Sequence, residues 1–171
     1  MENILLILAT TLILSRSANK YGFKKYSIGH SGCTLLLPND PGSFNPNFTK
    51  NGDLMYVAET KEAHVTYGCI TIILKDPTAN MAEAEKNLAR FMQTLQKSYD
   101  IEYTTGLSLG HLQRGASQVR GIIDYWQDAA EVDWKLKGWT NGRMLSVSYV
   151  SNITDLPTEK MDMYLDSFRF A

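Results

Sequence analysis

A chain of 171 residues with 44% hydrophobic and 11% aromatic side chains can bury one core of ordinary size, which excludes a disordered polypeptide. Its 17 basic residues against 18 acidic ones, spread without a basic run, exclude the electrostatic footprint of a nucleic-acid binder and a polybasic membrane arm.

Ile4 to Leu14 reads ILLILATTLIL, an uncharged apolar run too short to cross a hydrocarbon core of about 30 Å as a helix. It has the length of the apolar region of a secretory signal peptide, with Ser15 and Ser17 placed for cleavage before Ala18. Residues 1–17 are therefore expected to be a leader and 18–171 a single α+β domain, exported to the periplasm or secreted. Only the leader would meet a membrane. Glu2, where a basic residue is usual, keeps open a second reading in which the run is a buried first element of a cytoplasmic protein.

After the leader, Lys25–Ile28 and Cys33–Leu37 read as two short strands separated by Gly29 and Gly32. The stretch Pro38-Asn39-Asp40-Pro41-Gly42-Ser43 is dense turn chemistry and opens a loop to about Gly52. Leu54–Glu59 reads as a third strand, Lys61-Glu62 as a turn and His64–Leu74 as a fourth strand rich in β-branched residues. Met81, Ala84, Leu88, Phe91, Met92, Leu95 and Tyr99 then recur at helical spacing, and Asn80 with Glu83 has the form of a capping box. The second half reads as an antiparallel meander over 101–105, 118–127, 131–140 and 143–151, with Asn141-Gly142 as a type I′ hairpin signal. Pro157 opens a last helix with an apolar stripe through Met161, Tyr164, Leu165 and Phe168. The sum is an antiparallel sheet of about six to eight strands flanked by two main helices.

Several groupings suggest chemistry. Gly106-Leu107-Ser108-Leu109-Gly110 is a literal G-x-S-x-G, but the hydrolase order needs a later histidine and the last one is His111, so a glycine-rich loop is expected there. His30, His64 and His111 stand singly, without the paired spacing of a metal site. No catalytic residue, cofactor or metal ligand is therefore assigned. Asp124 lies in the apolar run Ile122–Trp126, four residues after Arg120 on the same strand face, as a structural ion pair or the polar anchor of a pocket with Tyr125. Glu131, Asp133, Lys135 and Lys137 mark a wet face, on which Trp139 falls near the hairpin tip beside Asn141, as an exposed contact for a partner. Cys33 and Cys69 could form one disulfide in an oxidising compartment or remain two buried thiols.

This order of elements, with Leu37-Pro38 ending the second strand and Ser167-Phe168-Arg169-Phe170 closing the chain, is similar to the PsbP-like superfamily over residues 24 to 170. That superfamily includes the periplasmic DcrB-type and the Ran-binding Mog-type proteins. The resemblance implies an α/β/α sandwich without a shared catalytic set, used mostly as an assembly or binding module. The expected function is a non-catalytic exported module that binds a protein or envelope component through loops 38–52 and 106–117 and the 139–143 hairpin. The competing expectation is a small-ligand binder or enzyme with a pocket between sheet and helix near Asp124.

Overall fold

The computed structural model describes residues 20–171, so the expected leader lies outside the described residues. Ten strands and two helices follow in order. These are β1 (Lys24–Ser27), β2 (Thr34–Leu37), β3 (Asn47–Phe48), β4 (Leu54–Glu62), β5 (Val65–Ile73), α1 (Met81–Ser98), β6 (Ile101–Thr104), β7 (Ser108–Gln113), β8 (Ala116–Asp128), β9 (Asp133–Thr140), β10 (Met144–Ser151) and α2 (Thr158–Leu165). β1 and β2 form a separate ribbon. The other eight strands form one sheet in the order β3-β4-β5-β10-β9-β8-β6, with β7 also pairing β8. Every pairing is antiparallel, and the molecule is an α+β fold. Among the described residues, no helix is long and apolar enough to cross a membrane.

α1 forms where the helical periodicity predicts it. Asn80 caps it by accepting from the amides of Ala82 at 3.0 Å and Glu83 at 3.2 Å. The reciprocal half of the capping box is missing, because the Asn80 amide donates to the Thr78 hydroxyl instead. Ala84, Leu88, Met92 and Leu95 are the buried stripe, and each large side chain removed from water there contributes about 2 kcal/mol. The stripe packs on β8, β9 and β6. Gly138 of β9 permits that approach: a Cβ there would lie 2.9 Å from the Met92 sulfur and 3.0 Å from Leu88 Cδ1.

Strand residues alternate between two apolar clusters, as the period of two requires. Leu145, Val147 and Tyr149 of β10 join the cluster that contains α1, whereas Val150 joins the one that contains Tyr164 and Leu165 of α2 with Leu35 and Leu37 of β2. The face of β9 expected to be wet belongs to this second cluster. Trp139 is only 4% exposed, and its ring occupies the space over Gly121, where a Cβ would stand 2.4 Å away. Lys135 and Lys137 lie on the same face because α2 brings carboxylates to them: Lys135 Nζ is 2.6 Å from Asp162, and Lys137 pairs with Asp166. Lysine stems bury readily when the ammonium finds a partner, so the charged alternation marked an ion-paired layer and not a solvated one.

The β9–β10 connection also differs from expectation. Thr140 pairs with Leu145, leaving residues 141–144 as the loop, and only Gly142 has positive φ. A type I′ turn needs positive φ at both central residues. Asn141 instead accepts from the amides of Arg143 and Met144, and Thr140 accepts from Gly142 while donating to the Met144 carbonyl. The loop is pinned to the segment before α1 by the Thr78 amide, which donates to the Gly142 carbonyl at 2.9 Å. Gly142→Ala would add a methyl 2.0 Å from the Thr78 carbonyl oxygen at a φ of +80°. The expected result is a loss of at least ~2 kcal/mol in urea denaturation; an unchanged midpoint would contradict this packing.

Candidate functional site

The sequence-derived site residues do not converge. Asp124 and Arg120 share a strand but are not an ion pair. The Arg120 guanidinium donates to the carbonyls of Ser117 and Val119. Asp124 is 1% exposed and is surrounded by neutral donors. One carboxyl oxygen accepts from the Tyr125 amide at 2.8 Å and the Thr105 hydroxyl at 3.2 Å. The other accepts from the Trp126 indole at 2.6 Å and the Gln96 side-chain amide at 3.2 Å. The Thr104 hydroxyl lies within 2.9 Å of both. The expected pair is thus replaced by a knot that joins α1, β8 and the β6 end. Both carboxyl oxygens of Asp124 are thus engaged by donors of the protein itself.

The residues beside that knot point the other way. Tyr103 pairs with Gln127 and Tyr125 lies two residues from it along β8, so both occupy the face opposite Thr104 and Asp124. Tyr103 is 69% and Tyr125 43% exposed. The Lys135 ammonium stands 5.2 Å from the centre of the Tyr125 ring and reaches Asp162 on α2. Burial works against this ammonium, but Asp162 and Tyr125 more than offset it and hold the Lys135 pKa above the usual lysine value. The result is an aromatic strip beside α2, bounded by fixed charges.

The strip continues in register along β7, where Ser108 lies opposite Ile123 and His111 opposite Gly121. A glycine-rich loop was expected here. Residues 108–113 instead form a strand with two register shifts, and the extra residue brings Ser108 and His111 onto one face. Ser108 Oγ is 2.9 Å from His111 Nε2. No carboxylate hydrogen-bonds His111 among the described residues, and Ser108 opens an edge strand, not the strand-to-helix turn of a nucleophile elbow. The pair is therefore a polar link along the strip.

Beyond His111 the strip ends in a cleft of about 350 Å³, lined by His111, Gln113, Arg114, Lys137, Trp139, Asp166 and Arg169 among others. Trp139 therefore does belong to a concave surface, but as its buried wall and not as an exposed ring. Asn141, its amide oxygen committed to the loop, borders two other open clefts with Arg143. Sequence reasoning missed the Arg114–Arg169 cleft because β7, β9 and the C-terminal segment each contribute only a few of its residues. Arg169 was visible only as part of the closing Ser-Phe-Arg-Phe.

Cys33 and Cys69 are separate free thiols, both buried. The Cys33 sulfur lies 3.5 Å from that of Met144, and Cys69 sits among the hydroxyls of Thr71 and Ser146. Burial raises both thiol pKa values, the state of inert and not reactive cysteines. Among the described residues, no group of three or more histidine, cysteine or acidic side chains is arranged to hold a metal. No family model matches the chain, and no curated protein matches it as a relative.

Asp124→Ala would leave the Trp126 indole and the Gln96 amide without acceptors inside the protein. The expected loss is on the order of 3 kcal/mol in equilibrium unfolding. A loss below roughly 0.5 kcal/mol, the range of ordinary surface substitutions, would contradict the knot.

Proposed function

We propose that this chain is a non-catalytic, exported binding module whose contact surface for a protein partner is the face of β6, β7 and β8 centred on Tyr103 and Tyr125. The single observation that carries this reading is the exposure of both rings on one face of a sheet edge that is rigidly tied from behind. Tyrosine supplies large contact area at small conformational cost, and such rings are enriched at the centres of interfaces. The Lys135–Asp162 and Lys137–Asp166 pairs beside the strip supply a polar rim.

Two further considerations support it. The resemblance to the PsbP-like superfamily favours an assembly or binding role, with the sheet and its two helices read as an α/β/α sandwich. The polar groups with the richest hydrogen-bonding, Asp124 above all, are spent on structure, which argues against the competing enzyme or ligand pocket at that position. The apolar run before Ser15 supports export, with cleavage before Ala18. The 106–117 segment stays within the proposed surface, whereas loop 38–52, at the opposite sheet edge, and Trp139 leave it.

The test is site-specific photocrosslinking in the protein's own host. A photoreactive residue at position 125 is expected to give one discrete adduct, and the same residue at Phe48, exposed at the opposite sheet edge, none. Equal labelling at both positions, or none at 125, would overturn the assignment.

A further inference from the structure

The cleft at the end of β7 carries more cationic than acidic side chains. Its titratable residues are His111, Arg114, Lys137 and Arg169 against one acid, Asp166. Asp166 is already the partner of Lys137. No salt bridge reaches Arg114 or Arg169 among the described residues, although the chain as a whole is balanced at a net charge of −1.

One of the two guanidinium groups is held in place. The Arg169 backbone pairs with Thr34 in both directions, at 3.0 and 2.9 Å. The Gln113 side-chain amide donates to the Phe168 carbonyl at 2.8 Å, locking the C-terminal segment to β7. One Arg169 terminal nitrogen, Nη1, donates to the carbonyls of Asp166 and Phe168, which leaves the remaining donors of the fork without protein acceptors. A concave site of this size, rich in unmet donors and short of acceptors, is complementary to a small anion.

We propose that this cleft binds a small ligand through an oxyanion group, a phosphate or a carboxylate, gripped by the guanidinium groups of Arg114 and Arg169. The planar fork of arginine matches both groups with two parallel hydrogen bonds, which a lysine cannot do. His111, whose Nε2 is engaged with Ser108, borders the same cleft. The cleft adjoins the Tyr103–Tyr125 strip through His111, and its binding is tested on the chain without a protein partner.

The test is an NMR titration of the full chain with inorganic phosphate and, separately, with citrate, at constant ionic strength. The expected result is saturable shifts of the Gln113–Gly115 amides and the Trp139 indole with at least one of the two. Arg114→Gln should weaken that affinity at least tenfold, and Arg143→Gln, at the other clefts, should leave it unchanged. Arg114 lies on an exposed turn with no hydrogen bond to lose, so its replacement keeps the fold. A preference for phosphate or for citrate names the ligand's anionic group. Shifts that fail to saturate with both, or that persist in Arg114→Gln, overturn the proposal.

Discussion

The buried carboxyl group of Asp124 is the constraint on which the functional face depends. It collects donors from α1, from β8 itself and from the β6 end, so three elements that meet only at the sheet edge are held by one side chain. Sheet edges are the places where strands fray and slip, and the β6–β8 pairing is already irregular between Ile101 and Tyr103. Because side chains alternate along a strand, fixing Thr104 and Asp124 inward fixes Tyr103 and Tyr125 outward. The knot and the strip are two sides of the same few residues.

On the α2 side of the sheet the constraints are electrostatic. α2 is short and lies over a sheet face that carries three lysines or their partners. Lys135 meets Asp162, Lys137 meets Asp166, and Lys160 of α2 itself meets Glu62 at the end of β4. Partly buried pairs of this kind add little net stability, because desolvation consumes most of the attraction, but breaking one leaves an uncompensated charge. The first two pairs tie α2 and the residue that follows it to β9, beside the strip and the cleft. The same pairing uses up the cleft's only acid and leaves its arginines unmatched.

Much of the fold was legible in the sequence, and what was not has definite physical causes. α1 announced itself through a strict apolar spacing and a capping asparagine, and the antiparallel meander through alternation. β7 was invisible because a strand with Gly110 and two register shifts has no period of two to detect. The β4–β5 turn falls at Ala63-His64, two residues later than expected, because Ala63 takes a positive φ of 53° without the glycine or asparagine that normally marks such a position. Trp139 was read as exposed because its neighbours Lys135 and Lys137 looked like a wetted face; that inference fails whenever a second element arrives with matching carboxylates. The site itself was the least legible part. Asp124 was recognised as unusual, but its partners are neutral groups, several of them from distant positions, and the cleft draws on three segments of the chain, 111–114, 137–139 and 166–169.

The most direct test of the link between knot and strip is hydrogen–deuterium exchange of Asp124→Asn against the parent chain. The amide of asparagine keeps one acceptor oxygen and turns a donor toward donors, loosening the knot with minimal change of shape. Faster exchange confined to residues 101–105 and 123–127, with β4 and β5 unchanged, is the predicted result. Exchange that stays the same at the β6 edge, or rises evenly over the whole sheet, would contradict a local tie that positions Tyr103 and Tyr125.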